Sequence, residues 1–175
     1  MTDIDVGAAR RLMVDRGTEA LSVSAVTHAD LEQLTWSGPA SHMRSMACQL
    51  DRIALGEVEY LAVRLPTGDP VAKGGIDFAA HPGAGTIFQL ATRDGLEGLG
   101  LARRLIAELE DRVRHRGLAT ARLSVEPENH RALRLYEYLG YRPCGHSRAS
   151  WEAEADDGSK FIYHAILVDM KKDLE

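Results

Sequence analysis

The sequence has few cysteines, and neither is in a pattern that binds metal. Cys48 and Cys144 are the two thiols among 175 residues. Two thiols are too few for a disulfide framework or a structural zinc site, and they form no C-x-x-C pair. The histidines show no metal-ligand spacing, so we predict no metal. Free thiols are favoured over a single bridge, which agrees with a reducing, cytoplasmic location.

Long hydrophobic runs, a cationic leader and excess positive charge are also missing. The longest apolar stretches have the length of strands, which excludes a membrane span, and the start of the chain shows no signal-peptide pattern. The net charge is −5. Arg112, Arg114 and Arg116 stand beside acidic residues, which favours a solvated helix face over a nucleic-acid surface. We therefore predict a cytoplasmic protein with neither nucleic-acid nor membrane partners.

The predicted elements follow the order of a mixed α/β domain. Apolar and β-branched patterns predict strands at residues 21–26, 60–65, 71–78, 86–92, 121–125, 144–154 and 161–168. Helices are predicted at residues 28–36, 41–55 and 98–116, and after Asn129 up to Gly140. Residues 1–20 are an N-terminal extension whose pattern allows a short helix at 8–14, and residues 21–175 are predicted to form one domain.

The segment of residues 95–100, Gly-Leu-Glu-Gly-Leu-Gly, leads from a predicted strand into an amphipathic helix. The first-turn N–H groups of a helix attract an anion, and glycines let it approach. A P-loop would need Gly-Lys-Ser or Gly-Lys-Thr, and a dinucleotide fingerprint has the reverse glycine spacing. The alternative is a tight turn that lets the helix pack closely on the sheet. The glycines by themselves favour this tight turn over a phosphate site.

The wider pattern resembles the GNAT superfamily of N-acetyltransferases. It consists of Leu90-x-Thr92, Gly98-x-Gly100, Leu123-Ser124-Val125-Glu126 and Asn129-x-x-Ala132-x-x-Leu135-Tyr136-Glu137-x-x-Gly140-Tyr141. The resemblance implies a GNAT-like fold, a largely antiparallel sheet of six to seven strands flanked by about four helices. It implies an acyltransferase that moves the acetyl group of acetyl-CoA to a primary amine of a small-molecule or peptide acceptor. Dimers are common in the family, so the resemblance also allows a homodimer.

By the same resemblance, acetyl-CoA lies along the strand end, the glycine segment and the two helix starts. The implied cofactor residues are Leu90, Ala91, Thr92, Gly95, Leu96, Glu97, Gly98, Leu99, Gly100, Leu101, Ala102, Asn129, Ala132 and Tyr136. Gly95 departs from the family pattern, in which Gln or Arg is usual. The departure removes a side chain from the loop and leaves its backbone donors.

Tyr136 matches the tyrosine that commonly acts as general acid in the family, where a phenol protonates the departing thiolate. Its spacing with Ala132 is also that of a core aromatic. A backbone N–H around Leu90 would serve the oxyanion. The general base stays open among Glu126, Asp77, His81 and a water chain, because the strand before the loop lacks the glutamate that some members use.

One alternative follows from these departures. Gly95 and the missing strand glutamate leave room for a GNAT-like module that senses acyl-CoA without turnover.

By the same resemblance, the acceptor side is expected at residues 41–55, around His81 and at residues 152–160. Acidic residues of that last segment could attract a cationic amine, although a solvated turn is the favoured interpretation; they are Glu152, Glu154, Asp156 and Asp157.

Overall fold

The computed structural model describes residues 4–155 and 157–175, which form one seven-stranded sheet with helices on both faces. The strands are β1 Ser22–Ala25, β2 Val58–Arg64, β3 Pro70–Asp77, β4 Ala84–Thr92, β5 Thr120–Val125, β6 Arg142–Glu154 and β7 Lys160–Asp173. The α-helices are α1 Val6–Arg16, α2 Ala40–Asp51, α3 Leu101–His115 and α4 His130–Tyr138. Short 3-10 helices lie at Gly17–Ala20, His28–Ser37 and Arg52–Leu55.

The strand order in the sheet is β1-β2-β3-β4-β5-β7-β6. Of the neighbouring pairs, β4 and β5 run parallel and the others run antiparallel. The predicted mixed α/β fold with a largely antiparallel sheet is therefore confirmed. Its single parallel pair lies at the centre, where the chain crosses over through α3.

The helices divide the core into two layers. Helices α1, α3 and α4 contribute Met13, Leu105 and Tyr136 to the larger cluster on one face. Helix α2 covers the other face with Met46 and Leu50. Because side chains alternate along a strand, β2 supplies apolar residues to both layers. The sheet therefore separates two compartments, an α3 face and an α2 face.

Helix α1 is longer than the 8–14 segment that the sequence allows. Its N-cap is Asp5, whose side chain accepts a hydrogen bond from the N–H of Ala8 at 2.9 Å. Gly17 ends it. Ala9 is 4% exposed within the larger core cluster. The helix is therefore packed on the sheet. In the two described ranges, no helix has both the length and the apolar composition needed to cross a bilayer.

Several predicted boundaries differ from the structure; the helix predicted at 41–55, for example, is α-helical to Asp51 and continues as a 3-10 helix. Two further differences have clear physical reasons. Helix α3 starts at Leu101 and not at residue 98, because Gly98 and Gly100 have φ angles of 79° and 81°. Such left-handed residues cannot continue a right-handed helix. Strand β7 runs to Asp173 and not to residue 168, because residues 168–173 pair with β5.

Candidate functional site

The candidate site begins where β4 and β5 separate. These parallel strands pair from Ala84 with Thr120 to Thr86 with Arg122. Strand β4 then continues to Thr92 without a described β5 partner. The facing edges open into a wedge, and we use that word for this opening. Backbone groups along such edges need other partners, which a ligand can supply.

A β-bulge in β4 lies beside the wedge. Lys73 of β3 is opposite Ala91, whereas Gly75 is opposite Phe88, so two steps on β3 face three on β4. Within this bulge Gln89 has a φ of 51°, the left-handed region that side chains with a Cβ rarely adopt. A bulge leaves its extra residue unpaired and turns neighbouring groups in a new direction. The bulge therefore changes the direction of the β4 backbone at Gln89, beside the wedge.

Two glycines of β3 make room for the bulge. A Cβ at Gly74 would lie 2.6 Å from a methyl carbon of Leu90, and one at Gly75 would lie 2.6 Å from the ring of Phe88. Any other residue at either position would therefore displace a side chain of β4. The Gly-Gly pair of β3 and the bulge of β4 form one structural unit.

The glycine loop forms an open cradle at the start of α3. A Cβ built at Gly98 or Gly100 meets nothing within 4 Å, so the space in front of both is open. Gly100 caps α3 without a side-chain hydrogen bond. By contrast, Asn129 caps α4 by accepting from the N–H of Ala132 at 3.1 Å. The first-turn N–H groups of α3 remain available at the positive end of the helix dipole, which suits a diphosphate.

Helix α1 explains why position 95 is a glycine. A Cβ at Gly95 would lie 2.9 Å from a methyl carbon of Val6, and the φ there is 80°. Nη1 of Arg10 donates a hydrogen bond to the carbonyl of Gly95 at 2.9 Å. A Gln or Arg side chain would not fit at this position, and α1 instead brings its own guanidinium to the loop. Sequence reasoning missed Arg10 because the contact spans 85 residues.

A cavity of about 420 Å³ joins the glycine cradle to the wedge. Of the predicted cofactor residues, all except Gly95 and Leu99 line it. Leu99 instead packs against the core. The lining also includes residues that were not predicted, namely Arg103, Ile106, Arg131 and Leu135. Two guanidinium groups and the carboxylate of Glu97 line this cavity, so its side chains carry net positive charge beside the start of α3, which favours an anionic ligand.

A second cavity of about 250 Å³ lies across the wedge. Gln89, Leu90 and Glu126 line it together with Trp151 of β6. Tyr136 lines both cavities, so it stands where they meet. It also belongs to the core cluster, at 9% exposure. Burial raises the pKa of Tyr136 to about 12, so its phenol keeps its proton at neutral pH.

Of the three residues considered as general base, Glu126 lines the second cavity together with Tyr136. Asp77 and His81 line neither of the two cavities of the wedge. Both lie near the start of β4, where Asp77 is opposite Thr86, away from the end that reaches the glycine loop. Of the three, Glu126 therefore shares a cavity with the tyrosine, and the other two do not.

Asp77 and His81 have local partners. Arg52 donates to Oδ2 of Asp77 at 2.7 Å, and the N–H groups of Ala79 and Ala80 donate to Oδ1. Burial alone would raise the pKa of Asp77, but these hydrogen bonds and the Arg52 charge hold it below its usual value. Nδ1 of His81 lies 3.1 Å from the hydroxyl of Thr86. Asp77 is thus part of a structural ion pair.

The β6–β7 hairpin and α2 meet beside the second cavity. Arg44 of α2 forms an ion pair with Glu152, which also lies 3.3 Å from Nζ of Lys160. The carboxylate of Asp157 accepts from the N–H of Ser159. Asp156 lies outside the described residues. The hairpin therefore contributes Trp151 to the cavity, while the charge of Glu152 is already paired.

Comparisons with known proteins agree with this geometry. The acetyltransferase (GNAT) family model matches residues 24–141, more than half of the chain. A mycothiol acetyltransferase from Beutenbergia cavernae is 42% identical over 59 residues, which cover 34% of this chain and 20% of that protein. The match thus spans a small part of the curated relative.

Solved structures show the same fold at low identity. The ribosomal-protein-S18-alanine N-acetyltransferase of Escherichia coli has a TM-score of 0.68 and 21% identity, covering 89% of this chain and 94% of that one. A putative acetyltransferase from Salmonella typhimurium, solved with its cofactor acetyl-CoA, has a TM-score of 0.63 and 17% identity, with coverage of 89% and 94%. The predicted resemblance and the acyltransferase class are confirmed, and the chain belongs to the acetyltransferase (GNAT) family.

Proposed function

We propose that the protein is an N-acetyltransferase that moves the acetyl group of acetyl-CoA directly to a primary amine. The observation that carries this proposal is the continuity of the site. The cavity of about 420 Å³ at the open glycine cradle and the cavity of about 250 Å³ across the wedge are neighbours, because Tyr136 lines both. A bound acetyl-CoA would supply the reactive thioester.

The first cavity suits the cofactor end of the reaction. Backbone N–H groups from Gly98 to the first turn of α3 would hold the diphosphate, with Arg103 and Arg131 nearby. The separated edge of β4, including Leu90 and Thr92, would bind the extended arm through its backbone groups. A backbone N–H at the bulge would donate to the acyl oxygen as that oxygen gains negative charge.

The second cavity suits the acceptor amine. Glu126 is the general base that the geometry favours, because it shares this cavity with Tyr136. Its carboxylate would take a proton from the amine, directly or through water. Tyr136 would donate its phenolic proton to the sulfur as the thiolate leaves, and its pKa of about 12 keeps that proton in place until then. The acceptor is a small-molecule or peptide amine.

Turnover of acetyl-CoA with a panel of primary amines tests the proposal, with thiol release and product mass as readouts. Tyr136→Phe is expected to lower kcat about 100-fold or more, with a much smaller effect on the KM of acetyl-CoA. Tyr138→Phe is the matched control, since Tyr138 lies on the same helix and is 74% exposed. It should leave kcat unchanged.

Two results would contradict the proposal. Tight acetyl-CoA binding without turnover across the whole panel would favour an acyl-CoA sensor. Wild-type kcat in Tyr136→Phe would show that another group protonates the thiolate.

A further inference from the structure

A buried lysine lies on the α2 face of the sheet, beside the bulge of β4. Lys73 of β3 is 0% exposed. Its Nζ lies 2.8 Å from Nε2 of His42 and 3.1 Å from the hydroxyl of Tyr60. No described carboxylate forms a hydrogen bond or an ion pair with it. A lysine is rarely buried without a partner of opposite charge, so its position calls for a reason.

Two further hydrogen bonds lead from this lysine to the bulge. The hydroxyl of Tyr60 donates to Oε1 of Gln89 at 3.0 Å, and Nε2 of Gln89 donates to the hydroxyl of Ser45 at 3.0 Å. Since the single proton of Tyr60 is used toward Gln89, Lys73 is the donor to Tyr60. We call His42, Ser45, Tyr60, Lys73 and Gln89 the lysine network.

The lysine network fixes a backbone conformation that needs support. Gln89 has a φ of 51°, which is unfavourable for a residue with a Cβ and persists only where surrounding contacts hold it. Both ends of its side-chain amide are held, one by β2 and one by α2. The next residue, Leu90, lines both cavities. A shift of this backbone would move the backbone N–H groups of β4 that lie beside the wedge.

We propose that Lys73 is a positioning residue for acetyl transfer. Through Tyr60 it holds the amide of Gln89, and through that amide the left-handed bulge that aims backbone N–H groups into the wedge. This inference rests on the proposed function of the wedge. Lys73 acts indirectly, because it is fully buried and lines neither cavity.

Glycine at the bulge provides the decisive comparison. Glycine adopts a positive φ without steric cost, so a chain with Gln89→Gly no longer needs the lysine network to hold the bulge. We expect Lys73→Met to lower kcat about tenfold or more while the KM of acetyl-CoA stays within about threefold. In the Gln89→Gly background, the same substitution should change kcat less than about twofold.

Lys172→Met is the matched control. Lys172 of β7 pairs with Glu110 at 2.7 Å and lines neither cavity, so its loss should leave kcat unchanged. Wild-type kcat in Lys73→Met would overturn the inference. An equal loss of kcat in both backgrounds would also overturn it, since the lysine would then act by another route.

A measurement without any acceptor separates this inference from the proposed function. Backbone amide resonances of Gln89 and Leu90, recorded by NMR on the full chain, report the bulge directly. They are expected to move in Lys73→Met and to stay in place in Lys172→Met. Unmoved resonances in Lys73→Met would overturn the inference. Absence of turnover in the wild type with every amine would overturn the proposed function alone, because the resonances still report on the bulge.

Discussion

Replacing Lys73 by methionine is expected to stabilise the folded protein at neutral pH. Burial lowers the pKa of Lys73 from 10.5 to about 7. Since one pKa unit corresponds to about 1.4 kcal/mol, burying this amine costs roughly 5 kcal/mol at pH 7 and below. Losing its hydrogen bonds to His42 and Tyr60 removes about 1 to 3 kcal/mol of stabilisation. The net gain in the free energy of unfolding is therefore roughly 2 to 4 kcal/mol.

The size of this gain depends on pH in a defined direction. Because the folded-state pKa of Lys73 lies below its unfolded value, the unfolded chain binds the extra proton between pH 7 and 10.5. Wild-type stability should therefore rise with pH in this window, by at most about 1.4 kcal/mol per unit from this group. Lys73→Met removes that contribution, so its advantage at pH 7 should shrink as the pH rises and should reverse before pH 10.5, where only the loss of the two hydrogen bonds remains.

His42 and Tyr60 are the two titratable groups that face Lys73, and they gain or lose their protons at pH values outside most of this window. Burial, and then the charge of Lys73, lower the pKa of His42 from 6.5 to about 4, so its effect on stability lies between those values. Burial raises the pKa of Tyr60 above 10.0, so its effect begins near that pH. The range from pH 7.5 to 9.5 therefore isolates the lysine.

Urea unfolding followed by circular dichroism at pH 7.5, 8.5 and 9.5 measures the prediction. Lys172→Met serves as the control, because it also replaces a lysine of the sheet by methionine. In contrast to Lys73, Lys172 pairs with a carboxylate, and its loss leaves Glu110 buried without that partner. That control should destabilise the protein by about 3 kcal/mol. A Lys73→Met protein less stable than the wild type at pH 7.5, or one that keeps the wild-type slope up to pH 9.5, would refute the reasoning.

Four further predictions concern the cofactor loop, the base and the core. Arg10→Gln should raise the Kd of coenzyme A about threefold to tenfold in calorimetry, because the carbonyl of Gly95 loses its charged donor. An unchanged Kd would show that α1 does not contribute to coenzyme A binding. Gly100→Val should raise the KM of acetyl-CoA at least about tenfold, since its φ of 81° is strained for valine and its Cβ enters the open cradle. Glu126→Gln should lower kcat about 100-fold at neutral pH in the amine assay, and full activity would assign the proton to water or to another group. Tyr141→Phe should lower the free energy of unfolding by about 1 to 2 kcal/mol with kcat unchanged, because its hydroxyl donates to buried Glu110 at 2.9 Å.

Local sequence signals predicted most of the elements correctly. The apolar residues of α3, such as Leu105 and Leu109, are buried as their helical spacing indicates. Asn129 caps α4 as expected. These features depend on residues a few positions apart, which a sequence pattern records directly. The residues that the family pattern predicts for the cofactor line one cavity, except Gly95 and Leu99.

Long-range contacts could not be predicted from the sequence. In the sequence, Lys73 is a charged residue within a predicted strand, which does not indicate burial. Its burial depends on α2, which covers that face of the sheet. The bulge at Gln89 results from the register with Gly74 and Gly75, which no pattern within β4 records. The general base stayed open for the same reason. The second cavity that Glu126 shares with Tyr136 lies where β4 separates from β5, and no local pattern records that separation.

Helix α1 and position 95 are expected to vary together among related proteins. A relative that keeps an equivalent of Val6 against the loop has room only for glycine at position 95. A relative without this helix has no such restriction, and a Gln or Arg side chain can return to the loop. The departure at Gly95 is then half of a paired exchange, in which a cation moves from the loop to a helix that precedes the sheet. Sequence covariation between the two positions would record that exchange.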